Sequence, residues 1–166
     1  MAAGMAFDEV SGAVFLYGGF DEDTFRSDFH FYNSGTYDWA EVPAEIGGTP
    51  GKRVHVRFEC VGQVLVMFGG STEGTTCSDD LFALDTRVEP LEWIKIEGAD
   101  GAKSDAMASK PTPKGRYGHA MCSYKNKLVV LGGFGENDTY LNDMWILDVN
   151  ELLKGNLDWI YGEYVQ

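Results

Sequence analysis

Clustered carboxylates are the first candidates for metal chemistry in this sequence. Asp21-Glu22-Asp23 and Asp28 supply the hard oxygen ligands that Ca²⁺ prefers. A calcium loop of the EF-hand type needs glycine at its sixth position and glutamate at its twelfth. Counted from Asp21, those positions hold Arg26 and Tyr32. We therefore interpret this stretch as a solvated acidic loop.

Histidine and cysteine patterns do not predict a metal site either. The histidines lie far apart and share no spacing: His30, His55 and His119. They indicate no converging zinc or copper site. The cysteines are odd in number and contain no Cys-x-x-Cys pair: Cys60, Cys77 and Cys122. We expect reduced thiols, of which Cys77, in a polar loop, is the exposed one.

Nucleotide-binding and nucleophile motifs are incomplete or absent. Gly133-Phe134-Gly135 follows an apolar run as a dinucleotide fingerprint would, but Asp138 takes the place of the third glycine. No Gly-x-Ser-x-Gly motif occurs. We therefore expect no catalytic residue, no metal and no cofactor, and we interpret the chain as a non-enzyme.

Charge and hydropathy narrow the classes of partner. The 166 residues include 13 Lys and Arg against 26 Asp and Glu, a net charge of −13, which opposes binding to nucleic-acid phosphates. No apolar run approaches the roughly 18 residues of a membrane span. The first twenty residues contain neither Lys nor Arg, unlike a secretory signal. We expect a cytoplasmic protein, with cytoskeletal or nuclear association as alternatives, and neither nucleic-acid nor membrane partners.

An internal repeat predicts the elements that hold these residues. Three apolar runs each end in a glycine pair: Gly18-Gly19, Gly69-Gly70 and Gly132-Gly133. A polar stretch follows each pair and ends at an aspartate that opens a second apolar run: Asp28, Asp80 and Asp143. A tryptophan closes each unit: Trp39, Trp93 and Trp159. Short apolar runs between glycine-rich turns predict β-strands.

Arginines open the second and third units. Arg53 and Arg116 each lie sixteen residues before a glycine pair, and a histidine, His119, follows the second arginine. The same count back from Gly18 ends at Ala2, so the first unit lacks the arginine.

Together these features resemble the kelch repeat, which runs from an Arg-x-x-His strand through Gly-Gly to a closing tryptophan. The resemblance covers essentially the whole chain and implies an all-β fold, a kelch-type β-propeller with three four-stranded antiparallel blades. Blade 1 would span residues 1–45, blade 2 residues 46–97 and blade 3 residues 116–166, with an inter-blade insertion at 98–115. A closed propeller needs about four to eight blades. We expect the missing blades to come from the rest of a longer protein or from a second copy.

The loops after the glycine pairs are the candidate binding site. They combine six net negative charges with interleaved aromatic residues, and long loops on a rigid scaffold commonly carry binding function. We expect this face to bind proteins with a basic surface through the following residues: Asp21, Glu22, Asp23, Phe25, Arg53, Glu73, Arg116, Phe134, Glu136, Asp138 and Tyr140. For the two arginines, structural pairing with a local carboxylate or carbonyl is the alternative.

The sequence therefore predicts a non-catalytic interaction scaffold or adaptor. Its uneven units resemble the looser kelch arrays of signalling, trafficking and cytoskeletal scaffolds more than those of BTB-kelch adaptors. The alternative is an accessory propeller that recruits substrates to a larger enzyme, a phosphatase or ubiquitin ligase, whose catalytic part lies outside this chain.

Overall fold

Strands dominate the computed structural model, which describes residues 2–43, 49–73, 77–96 and 111–163. They form three four-stranded antiparallel sheets and one two-stranded sheet. The greater part of the expected insertion, residues 98–110, lies outside the described residues.

The strands follow the repeat unit by unit. Sheet 1 contains β1 (Gly4–Asp8), β2 (Ala13–Asp21), β3 (Thr24–Asn33) and β4 (Asp38–Val42), paired in chain order. A two-stranded sheet joins β5 (Arg53–Val54) to β8 (Ser71–Thr72). Sheet 2 contains β6 (Arg57–Val61), β7 (Val64–Phe68), β9 (Leu81–Asp85) and β10 (Ile94–Ile96). Sheet 3 contains β11 (Ala120–Tyr124), β12 (Lys127–Phe134), β13 (Tyr140–Asp148) and β14 (Trp159–Glu163), with a short helix α1 (Val149–Leu152) before β14.

Sheet 2 is packed on both faces, so its central strand is apolar throughout. All five residues of β7 are buried. Because successive side chains point to opposite faces of a sheet, Val66 and Phe68 pack toward sheet 3, whereas Leu65 and Met67 pack toward sheet 1. An unbroken apolar run is therefore the pattern required here.

Two hydrophobic clusters hold the three sheets together. Between sheets 1 and 2, the large buried side chains are Phe15, Tyr17, Phe29, Phe58 and Trp93. Between sheets 2 and 3, they are Phe68, Leu128, Trp145, Leu147 and Trp159. The first strands of the sheets lie side by side, because β6 contacts both β1 and β11. This face-to-face stacking around the first strands is that of blades in a propeller, and the predicted all-β partial propeller with three four-stranded antiparallel blades is confirmed.

The two outer sheet faces carry exposed apolar side chains. In sheet 1, Met5 is 66% exposed and Phe7 is 52% exposed, and both alternate with the buried Ala6. Trp39 of β4 is also exposed. In sheet 3, Ile160 is 53% exposed although its neighbour Trp159 is buried. Within the described part of the chain nothing covers these faces.

The observed strand pairing changes how the first repeat unit aligns with the other two units. The strand pairs place Gly4 opposite Tyr17 and Ala120 opposite Leu131, so Gly4 is equivalent to Ala120. The first turn, residues 9–12, is longer than the turn at residues 62–63 of sheet 2. The count that matched Ala2 with Arg116 is therefore wrong, because it ignored this longer turn.

Backbone angles agree with the corrected alignment. By register, Ala2 is equivalent to His55 and Gly118. All three have left-handed φ values, of 61°, 52° and 61° respectively. Residues other than glycine seldom adopt this region, so its recurrence marks one backbone turn that introduces the first strand of every sheet.

Candidate functional site

A buried arginine joins the second strand of sheet 2 to the third. Arg53 Nη1 donates to the Gly69 carbonyl at 2.9 Å, and its Nη2 donates to Asp80 Oδ2 at 3.2 Å. The guanidinium also donates to the Pro50 carbonyl and lies 5.2 Å from the centre of the Phe82 ring.

Sheet 3 repeats this arrangement with better geometry. Arg116 donates two parallel hydrogen bonds to the Asp143 carboxylate, at 2.7 and 2.8 Å, and a third to the Gly132 carbonyl at 2.9 Å. Trp145 Nε1 donates to the same carboxylate at 2.6 Å. Burial alone would raise the pKa of Asp143, but the bonds from Arg116 and Trp145 outweigh it and hold that pKa below its usual range.

Both arginines are therefore framework residues in this chain. Their side chains are only 3% and 0% exposed, so a partner's carboxylate could not reach them without rearrangement of the sheets. This corrects the expectation that Arg53 and Arg116 address a partner, and it matches the structural alternative. The correction follows from burial, which spacing alone does not reveal.

The loops after two of the glycine pairs are hairpins rather than irregular loops. In sheet 1, β2 and β3 continue to a tip at residues 22–23, where Phe20 and Phe25 meet edge to face at 5.6 Å. Asp21 there pairs with Arg26 at 2.5 Å, while Glu22 and Asp23 are exposed. The polarity of this segment predicted an irregular loop. The structure instead continues the strand pairing beyond the glycine pair, so the segment is ordered.

The sheet 3 hairpin carries the second aromatic pair. Phe134 and Tyr140 lie opposite each other in the β12–β13 register, with ring centres 4.8 Å apart. Tyr140 is 78% exposed, and the exposed Glu136 and Asp138 lie in the turn beyond it. These four residues, all predicted from the sequence, therefore lie together.

Two further rings extend this cluster and were not predicted. Tyr117 stacks on Phe134 at 5.3 Å with an interplanar angle of 16°, and His55 lies 5.8 Å from Tyr117. The sequence offered one indication of Tyr117, because this residue directly follows the framework residue Arg116. His55 comes from the other side of the sheet 2–sheet 3 junction, so its contact depends on packing.

The corresponding segment of sheet 2 is not an extended hairpin. After β7 the chain turns into β8 and pairs with β5, and Glu73 forms an exposed ion pair with Lys52 at 3.3 Å. Residues 74–76 of the predicted acidic loop lie outside the described residues. Beside the sheet 3 hairpin is a cavity of about 380 Å³, whose lining includes Asp79, Lys114 and Glu136.

Cys77, expected to be exposed, is buried, and the exposed cysteine is Cys122. The Cys77 thiol lies 3.6 Å from the Phe134 carbonyl oxygen of sheet 3. Within the described ranges no group of three or more side chains could hold a metal ion. No helix among those residues has the length and apolar character needed to cross a membrane.

A family model and several known proteins match this chain. A family model described as the Kelch motif matches residues 115–151, which include Arg116, the Gly132-Gly133 pair and Asp143. Host cell factor 1 of Homo sapiens is 30% identical over 130 residues, covering 74% of this chain and 6% of that protein. The chain belongs to the kelch-repeat family.

Alignments with other relatives cover more of the chain. An F-box/kelch-repeat protein of Arabidopsis thaliana is 29% identical over 131 residues, which are 78% of this chain and 26% of that protein. Tip elongation aberrant protein 1 of Schizosaccharomyces pombe is 27% identical over 157 residues, which are 92% of this chain and 12% of that protein. The chain therefore spans only a small part of each of these relatives.

Proposed function

We propose that this kelch-repeat chain is a non-catalytic protein-interaction module. Its binding surface is the hairpin face, defined as the residues at and beside the tips of the sheet 1 and sheet 3 hairpins together with Glu73: Asp21, Glu22, Asp23, Phe25, Glu73, Phe134, Glu136, Asp138 and Tyr140. The observation that carries the proposal is that exposed carboxylates accompany an ordered aromatic pair at the hairpin tip of each sheet that flanks sheet 2.

The charge of the hairpin face favours a basic partner. The three segments that follow the glycine pairs carry six net negative charges. Such a field speeds encounter with a partner that presents Lys or Arg, and salt weakens it because exposed charges are screened over about 8 Å at physiological ionic strength. Charge of this kind mainly sets the association rate.

The aromatic pairs are the candidates for affinity. Phe25 and Phe134 are half-buried and held by a ring across the strand pair, so little side-chain freedom remains to be lost on binding. Truncating an aromatic anchor at an interface can cost about 2 kcal/mol or more.

The test compares variants by surface plasmon resonance against a partner isolated by pull-down. Replacing Glu22 and Asp23 with serine should chiefly slow association, whereas Phe134→Ala should chiefly speed dissociation. Glu9→Ser with Asp38→Ser removes the same charge from two exposed positions at the opposite edge, in the β1–β2 turn and at the start of β4, and serves as the matched control. If this control or Lys125→Ser abolishes binding while the hairpin variants do not, the partner binds the opposite face.

The second candidate function is an accessory propeller within a larger enzyme. It is favoured by the small share of each relative that the chain covers, because the remainder of such a protein has room for a catalytic domain. The full-length reading frame discriminates between the two, since a catalytic domain outside this chain would support the accessory role. We further propose that additional blades cover the exposed outer faces of sheets 1 and 3.

A further inference from the structure

Four rings form a continuous row from sheet 2 to the tip of sheet 3. We call it the ring row, and its members in order are His55, Tyr117, Phe134 and Tyr140. Adjacent ring centres are 5.8, 5.3 and 4.8 Å apart. Tyr117 and Phe134 are half-buried and His55 is exposed, and the row ends in Tyr140, which is 78% exposed.

The backbone fixes the ring row before any partner arrives. Tyr117 and Phe134 exchange two backbone hydrogen bonds, of 3.0 and 2.9 Å, which place their side chains next to each other. Tyr140 is held opposite Phe134 by the β12–β13 register. A surface that is already ordered loses little conformational entropy on binding.

Two carboxylates lie next to the Tyr140 end of the row, because Glu136 and Asp138 belong to the turn between Phe134 and Tyr140. A third, Asp79, lines the cavity of about 380 Å³ together with Glu136. All three are exposed, and within the described ranges none of them forms an ion pair. One cation, Lys114, lines the same cavity, so the local charge remains negative.

We propose that the ring row binds an arginine side chain of an extended basic peptide. A guanidinium is planar, stacks on aromatic faces, and pairs with carboxylates through two parallel hydrogen bonds. Here the exposed Tyr140 ring offers the stacking face, and the exposed Glu136 and Asp138 of the adjoining turn offer the carboxylates. This inference rests on the proposed function and specifies the part of the hairpin face that recognises the partner.

The test measures binding of labelled probe peptides to the 166-residue chain by fluorescence anisotropy. The probe is a short glycine-serine peptide that bears several arginines, and its controls carry citrulline, the neutral isostere, or lysine instead. We expect the arginine probe to bind more tightly than either control. Tyr140→Ser should weaken arginine binding roughly threefold to thirtyfold, the range expected for loss of one cation–π contact.

Matched variants separate the ring row from other exposed aromatic residues. Tyr37→Ser, in the β3–β4 turn and 77% exposed, lies outside the hairpin face and should leave probe affinity unchanged. Tyr117→Leu should weaken binding, with near-ultraviolet circular dichroism as the check on folding. Because Tyr140 is exposed, Tyr140→Ser remains informative even if Tyr117→Leu does not fold.

Two results would overturn the inference: equal binding of the citrulline probe, or full affinity in Tyr140→Ser. Its failure is distinguishable from failure of the proposed function. If binding of the isolated partner depends on Glu22 and Asp23 but the arginine probe does not bind, the proposal of the hairpin face is supported and that of the ring row is contradicted. If the probe binds as expected while partner binding depends on the opposite face, the ring row is supported as an arginine site and the proposed function of the hairpin face is contradicted.

Discussion

His119 is buried between sheets 2 and 3, with 1% of its surface exposed. Within the described residues neither ring nitrogen has a hydrogen-bond partner, and the ring packs edge to face on Phe68 at 5.8 Å. Burial, reinforced by the charges of Arg116 and Arg57, lowers the pKa of His119 to about 3. The folded state therefore holds this imidazole neutral.

This burial predicts a pH-dependent stability. As pH falls below about 6.5, the unfolded chain gains a proton at this histidine, and the folded chain does not until about pH 3. The free energy of unfolding should thus decrease on acidification, by up to about 1.4 kcal/mol per pH unit from this group. Urea unfolding of wild type and His119→Leu between pH 7 and pH 4.5 measures the difference.

Controls for this prediction lie on the same chain. The pKa values of Asp80 and Asp143 are lowered in the folded state. Protonation of these carboxylates therefore destabilises the folded state only at pH values below this range, and it does so in wild type and in His119→Leu alike. His30→Leu, which changes a histidine on the outer face of sheet 1, is the matched control variant. A wild-type slope that persists in His119→Leu would contradict the prediction.

At the scale of the strand elements, the first glycine of the first two pairs, Gly18 and Gly69, makes room for the backbone of the next unit. Gly69 has a φ of 74°, and a Cβ placed there would lie 2.5 Å from the Arg116 carbonyl oxygen. The adjacent Gly70 amide donates to that same carbonyl at 2.9 Å. The glycine pair therefore allows the backbone of sheet 3 to approach the end of β7, in addition to ending the strand.

The close approach predicts a large effect of Gly69→Ala. Gly62→Ala is the matched control, because Gly62 also has a left-handed φ, of 66°, but a Cβ there would meet nothing within 4 Å. The control should lose about 1 kcal/mol to backbone strain alone. Gly69→Ala should lose roughly 2 kcal/mol more, because the backbone contact must open. Equal losses in urea denaturation would show that the contact adjusts freely.

At the scale of the whole molecule, the exposed outer faces predict association. Exposed apolar sheet surface of this kind is an aggregation and interaction site, so the 166-residue chain should self-associate or bind a hydrophobic dye. Light scattering after gel filtration measures the mass. Replacing Met5 and Phe7 with serine should reduce association, whereas Val10→Ser, in the β1–β2 turn and 68% exposed, should not.

Distinct outcomes of that measurement separate the possibilities. A monomer with a sharp cooperative thermal unfolding transition would contradict the prediction that the exposed outer faces of sheets 1 and 3 cause association. A discrete dimer would favour completion by a second copy, and heterogeneous association would favour completion by blades from a longer protein.

The amino-acid sequence by itself determined the repeat, the three sheets and most of their strands. Apolar alternation and glycine pairs act through local geometry: side-chain direction alternates along a strand, and a left-handed φ excludes most residues. The acidic and aromatic residues of both hairpins could also be identified, because they lie within a few positions of the glycine pairs.

Only the tertiary structure decided which of those residues are accessible and which lie together. Arg116 and Cys77 proved to be buried by the packing of sheet 3 on sheet 2, and His55 meets Tyr117 across that same junction. The two-residue shift at Ala2 came from turn length, which register reveals and counting does not. Contacts between units depend on how the sheets stack, and no local pattern encodes the distance between residues in separate units.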